Sequence, residues 1–295
     1  MWLVWALAGT TLASGAVLVD KSVLEDRERT VSTVAVLTGG LAGISSMALF
    51  AAGGVPAAPL EFVLPALGGG ALLFAYLVPY FAALRDSSPD RVVAWFQITP
   101  LIATGTAVVV LGQQLSAWQW FGGACLVGGA VSAELSGAGG IRGVQRRSVL
   151  AMLAAASLFA AAEVLLARAA EHAPEFRLLI AFSGLGSALA ALLFWSLQRR
   201  SATLNGLGRR LLGLLALAEL LNLAFVVAHQ RALGMADVGI VSATAGVQPL
   251  VITLMLASFG PPLGLPRMSS AVATTALAYM AIAVGVAVLA LAEAS

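Results

Sequence analysis

Gln97-Ile98-Thr99-Pro100-Leu101 puts a proline inside an apolar run, and Val247-Gln248-Pro249-Leu250 does so again 149 residues later. The phrase before each proline also returns at that offset. Ala83-Leu84 precedes Pro89-Asp90-Arg91-Val92-Val93, and Ala232-Leu233 precedes Val238-Gly239-Ile240-Val241. Further toward the ends, the run at the N-terminus and the run near residue 160 match at an offset of 147, which sets Lys21 against Arg168. The chain therefore reads as two copies of one unit, residues 1–137 and 145–295.

The material of that unit is apolar. Of 295 residues, 60% are hydrophobic and 10% are charged, and the mean hydropathy is +0.96. A soluble domain carries about 25% charged residues, so a water-soluble globule and a disordered chain are both excluded. A spanning helix needs about 20 apolar residues. Ten apolar segments can be read, at 2–19, 31–52, 62–84, 91–112, 117–136, 148–170, 177–197, 210–231, 237–259 and 270–292. The apolar runs are continuous rather than alternating, which excludes a membrane β-barrel. The short loops leave no space for an ATPase domain.

The expected fold is an all-α polytopic membrane protein of ten transmembrane helices. Five helices per unit is an odd number, so the two copies enter the bilayer from opposite sides. This is an inverted repeat, which sets a site at the interface of the halves near the midplane.

The segment boundaries carry their own signals. Asp20 to Thr30 reads as a charged loop, Ser88-Pro89 as a helix start, and Pro261, Pro262 and Pro266 as the close of segment nine. The first segment lacks a basic leader and reads as a retained helix. Fifteen arginines stand against one lysine, a bias suggestive of a GC-rich bacterial genome and hence of a bacterial inner membrane. Thirteen basic residues fall in the odd-numbered loops and three in the others, so the positive-inside rule sets both termini outside. Trp2, Trp5, Trp118, Trp120 and Trp195 lie at segment ends and read as interface anchors.

Ala83-Leu84, Pro100-Leu101, Leu111-Gly112-Gln113-Gln114-Leu115-Ser116 and the Gly-rich run Trp120 to Val131 occur in one order. In that order they resemble the drug/metabolite transporter superfamily, in its EamA-type ten-helix branch. The resemblance covers nearly the whole chain. It implies a secondary transporter of metabolites, amino acids or drugs, often an exporter, with peripheral fifth and tenth helices. Two features depart from the family. Its Leu-Gly-Glu-x-Leu glutamate is Gln113 here, with Pro261 at the equivalent place of the second half, so no role passes to that position. The family also keeps both termini in the cytoplasm, against the arginine count.

Ionisable groups inside a bilayer are costly and face a partner or a cavity. Glu219 lies mid-segment, with Asn222, Val226 and His229 following at helical spacing. This stripe reads as a cavity lining, with an interhelical hydrogen-bond seam as the alternative. Glu219 is the leading candidate for coupling transport to protons, and Glu163 the second, its alternative being an ion pair with another helix. Pro100 and Pro249 each remove a mid-helix hydrogen bond beside Thr99 and Gln248; a kink made only for packing is the alternative. Tyr76, Tyr80, Trp95 and Gln97 are candidate walls for a substrate ring or cation, or else core.

The two histidines, His172 and His229, and the single Cys125 form no ligand or nucleophile motif, so no cofactor or metal is expected. The expected partners are a small-molecule substrate, protons and the bilayer. Nucleic acid is not among them, and the chain would act as a monomer or a homodimer. A lipid-modifying membrane enzyme and a non-transporting scaffold are the competing functions. The first would need a catalytic partner for Glu163 or Glu219, and the second would lack a central cavity.

Overall fold

In hydrocarbon an unpaired amide has no water to bond, so an apolar chain closes its backbone bonds within helices. The computed structural model describes residues 1–25, 30–55, 57–87, 89–96, 98–112, 116–135, 146–198, 208–236, 241, 244–259, 280, 281, 284, 285 and 288. Among these residues the regular structure is helical and no strand occurs. The first three helices are α1 (Trp2–Leu24), α2 (Val31–Gly53) and α3 (Leu60–Asp86). Then come α4 (Pro89–Phe96), α5 (Thr99–Leu111) and α6 (Ala117–Leu135). The second half holds α7 (Arg146–Glu171), α8 (Phe176–Leu197) and α9 (Arg209–Leu233). A 3-10 turn at Thr244–Val247 leads into α10 (Gln248–Phe259). Among the described residues six helices, α1, α2, α3, α7, α8 and α9, are long and apolar enough to cross a membrane.

Local chemistry places the ends. Thr30 caps α2 by accepting from the Thr33 amide at 3.2 Å, and Gly54 leaves the helix at φ +71°, a conformation suited to glycine. Ser116 and Gln119 form a reciprocal capping box at the start of α6. The Ser116 amide donates to Gln119 Oε1 at 2.7 Å, and the Gln119 amide donates to Ser116 Oγ at 3.3 Å. Pro89 opens α4, where a missing amide costs nothing.

Four expectations change. The first helix runs through Asp20 and Lys21 to Leu24, so those two residues are helical and buried rather than looped. Segment four does not run through its proline. It divides into α4 and α5, and Pro100 sits in the first turn of α5. Segment nine likewise changes from a 3-10 turn to α10 one residue before Pro249. Trp2 is 5% exposed and packs on Ala6, Ala232 and Val241, so it is a packing residue rather than an interface anchor. The prolines at 261, 262 and 266 lie outside the described residues. Segment ten is seen only as helical Met280, Ala281, Val284, Gly285 and Val288.

Two cations seal helix ends. Lys21 Nζ donates to the carbonyls of Leu84 at 2.9 Å and Arg85 at 3.4 Å, and pairs with Glu25 at 3.0 Å. Arg177 donates to the carbonyls of Leu49, Gly53 and Gly54 at the end of α2. Both sit where the helix dipole and the orphan carbonyls favour positive charge.

The packing follows an exchange pattern. The first helix of each half lies against the third of the other: α1 on α9, and α7 on α3. The second helices, α2 and α8, lie on each other. The contacts run antiparallel: Gly9 of α1 faces Phe225 and Ala228 of α9, whereas Gly15 faces Leu221. On α2, Gly39 and Gly43 approach Ala191 and Ala188 of α8, which permits close crossing. A Cβ on Gly186 would overlap the Leu67 carbonyl, so α3 and α8 touch backbone to backbone there.

Candidate functional site

A cavity of about 80 Å³ lies where α1, α3 and α9 meet α7 and the two broken segments. At roughly 10–15 Å³ per water it holds several waters. On α1 it is lined by Thr10, Ala13, Val17 and Asp20, whose 3-4-3 spacing makes one helix face. Asp20 is 4% exposed, and among the described residues it accepts no hydrogen bond and forms no ion pair. A charge of this kind is strongly disfavoured in an apolar interior unless something positive meets it.

The opposite wall is aromatic. On α3, Tyr76 and Tyr80 are one turn apart with centroids 5.8 Å from each other. Pro79 between them cannot donate to the Ala75 carbonyl. Tyr76 meets Phe159 of α7 edge-on at 5.1 Å, and Phe96 at the end of α4 meets Phe159 at 5.3 Å. The helix break after Phe96 presents this ring and, on the far side, Thr99. Thr99 Oγ1 is buried without a hydrogen-bond partner among the described residues.

Glu163 of α7 and His229 of α9 close the site. Glu163 Oε1 and His229 Nε2 are 2.7 Å apart, with both side chains largely buried. This is the interhelical pair that the alternative reading of Glu163 described. Phe225 stacks obliquely on His229 at 5.2 Å. Thr244 and Gln248 line the cavity from the second broken segment.

The structure brings together Glu163, Asn222, His229, Tyr76, Tyr80, Thr99 and Gln248 of the expected residues. It separates two others. Trp95 packs on the core beside the cavity, its indole nitrogen buried without a partner among the described residues. Glu219 does not line the cavity; it faces a second chamber with Ser46, Ser183 and Ser187. The stripe on α9 was expected to share one face. Glu219 and His229 are ten residues apart, which at 100° per residue turns them roughly 80° from each other. Only Asn222 lines both spaces. Gln97 lies outside the described residues. Pro100 and Pro249 occupy matching second positions of α5 and α10.

Asp20 was missed because it was assigned to a loop. The signal was present: Val23 and Leu24 resume the apolar pattern beyond it, and it falls on the face of Thr10, Ala13 and Val17. Phe96, Phe159 and Phe225 could not be told from core phenylalanines by pattern alone. Five pairs of lining residues are 149 positions apart: Thr10 and Phe159, Tyr76 and Phe225, Tyr80 and His229, Phe96 and Ala245, Thr99 and Gln248.

The model of the EamA-like transporter family matches residues 1–133. Twenty-three chains of solved structures match. One crystal structure of a protein shares 22% identity and superposes with a TM-score of 0.72, covering 98% of this chain and 96% of that one. At that identity the likeness is one of fold. No curated protein matches. The chain is thus a multi-pass membrane protein whose residues 1–133, a little under half of its length, match the model of the EamA-like transporter family, in keeping with the resemblance carried by its own motifs.

Proposed function

We propose that the protein is a secondary transporter, an exporter of small organic solutes, that works by alternating access in a bacterial inner membrane. Its halves, residues 1–137 and 145–295, would be inverted five-helix repeats rocking about the central cavity. The family match over the first half supports transport rather than catalysis. The reciprocal packing of α1 on α9 and α7 on α3, and the lining pairs 149 residues apart, support the repeat.

The observation that carries the substrate reading is Asp20. A buried carboxylate without a partner among the described residues, in one cavity with the Tyr76, Phe96 and Phe159 rings, suits a solute with a positive group and an apolar or aromatic body. Tyr80, Asn222 and Gln248 supply polar contacts for orientation. Proton coupling belongs to the cavity carboxylates: Asp20 releases its solute on protonation, and Glu163, hydrogen-bonded to His229, is the second candidate. A thermal-shift screen of quaternary cations, polyamines, nucleosides and amino acids, followed by counterflow in proteoliposomes, tests this. Saturable counterflow of a cationic or zwitterionic solute is expected. A protein that binds none of these classes, or binds but moves none, is not this transporter.

A further inference from the structure

Behind Asn222 a second chamber of about 70 Å³ lies between α2, α3, α8 and α9. Ser46, Ser183 and Ser187 line it, and all three are buried. Each has already committed its proton. Ser46 Oγ donates to the Ala42 carbonyl at 2.8 Å, and Ser183 Oγ to the Ile180 carbonyl at 3.0 Å. Ser187 Oγ reaches across to the Gly70 carbonyl of α3 at 2.7 Å. A hydroxyl has one proton and two lone pairs, so these oxygens retain only acceptor capacity. Close helix packing fixes the array: a Cβ on Gly184 would overlap Ser46 Oγ, and one on Gly70 would overlap the Ser183 carbonyl.

Glu219 adds a carboxylate to this lining, and among the described residues no lysine, arginine or histidine lines the chamber with it. Asn222 adds an amide oxygen. Ser45 and apolar side chains such as Leu49, Leu73, Ile180 and Val226 make up the rest of the lining, and one negative charge in such a space calls for one positive charge. Hard oxygen donors without sulfur or imidazole select a hard cation, and a single carboxylate neutralises a monovalent rather than a divalent one. A protonated carboxyl has one donor to place and so would engage one of these oxygens, whereas a cation engages several at once.

We propose that this chamber binds an alkali-metal cation of the sodium type, with Glu219 as the charged ligand and the oxygens of Ser46, Ser183, Ser187 and Asn222 as neutral ligands. The chamber has space for waters to complete the shell. Asn222 forms the wall shared with the central cavity and so links the chamber to the solute site.

The test is thermal unfolding of the purified full-length protein in sodium chloride against choline chloride at equal ionic strength. Sodium is expected to raise the midpoint by about 3 °C over choline at saturation. Glu219→Gln is expected to abolish the difference. Ser183→Ala, which removes one neutral ligand and keeps the charge, is expected to shift the sodium titration to several-fold higher concentration. It serves as the deciding variant if Glu219→Gln does not fold. Equal midpoints in the two salts overturn the site, as does a sodium effect that both variants leave intact. The readout needs no substrate, so its failure leaves the transport reading standing. A failure of transport likewise leaves this site standing.

Discussion

Asp20 shows how much one carboxylate decides. It was placed in the first loop by its charge, yet it stands inside α1 against the cavity. Asp20→Asn keeps the volume and removes the charge. We expect it to fold and to lose about 10–100-fold in affinity for a cationic solute, the scale of one charge-assisted contact, read by calorimetry. Unchanged affinity would assign recognition to the aromatic wall alone. Glu163 and His229 make the contrasting case, since each is held by the other. His229→Ala takes a hydrogen bond from a buried carboxylate and should cost about 1–3 kcal/mol. Glu163→Gln can still bond the imidazole and should cost less. A larger fall in midpoint for Glu163→Gln than for His229→Ala would contradict this. Among these residues the pattern made the polar stripe on α9 legible, but not its division. The difference between facing the cavity and facing the chamber is a helix rotation of roughly 80°, accumulated over ten residues.

At the scale of elements, two glycines predict opposite outcomes. Gly186 lies where α8 meets the α3 backbone, and an added Cβ overlaps the Leu67 carbonyl. Gly186→Ala should force the helices apart and destabilise by about 1–3 kcal/mol. Gly128 of α6 has nothing within 4 Å of an added Cβ. Gly128→Ala should stabilise by about 0.5–1 kcal/mol, through helix propensity alone. Melting both variants in one detergent checks the sign of each, and two shifts in the same direction would refute the crossing argument. The prolines were read as mid-helix breaks, and segments four and nine do change helix beside Pro100 and Pro249. The sequence could not say that these breaks present Phe96, Thr99 and Gln248 to one space. That depends on α7 and α1 lying opposite the breaks, which is a matter of packing.

For the whole molecule, one of the thirteen basic residues of the odd-numbered loops is not in a loop. Lys21 is buried and binds the carbonyls that end α3, so it does not report a cytoplasmic loop. On the remaining twelve arginines against three, we propose odd-numbered loops inside and termini outside. Cysteines placed at positions 27 and 200 should resist an impermeant thiol reagent in intact cells and react after permeabilisation. Ready labelling of both in intact cells would reverse the orientation.

The sequence by itself determined the membrane class, because 10% charge cannot clothe a soluble surface. It also determined that the backbone would be helical, and it suggested a repeat at an offset of 149. These follow from composition and period, which are summed along the chain and survive local error. Which buried groups meet was decided only by the tertiary structure. Asp20 faces rings from α3, α4 and α7, Glu163 meets His229 from 66 positions away, and Glu219 turns to serines of α2 and α8. Such meetings depend on helix rotation and crossing, and small residues such as Gly184 and Gly186 set these by letting backbones approach. No local pattern encodes that approach, because each glycine acts through a partner distant in sequence.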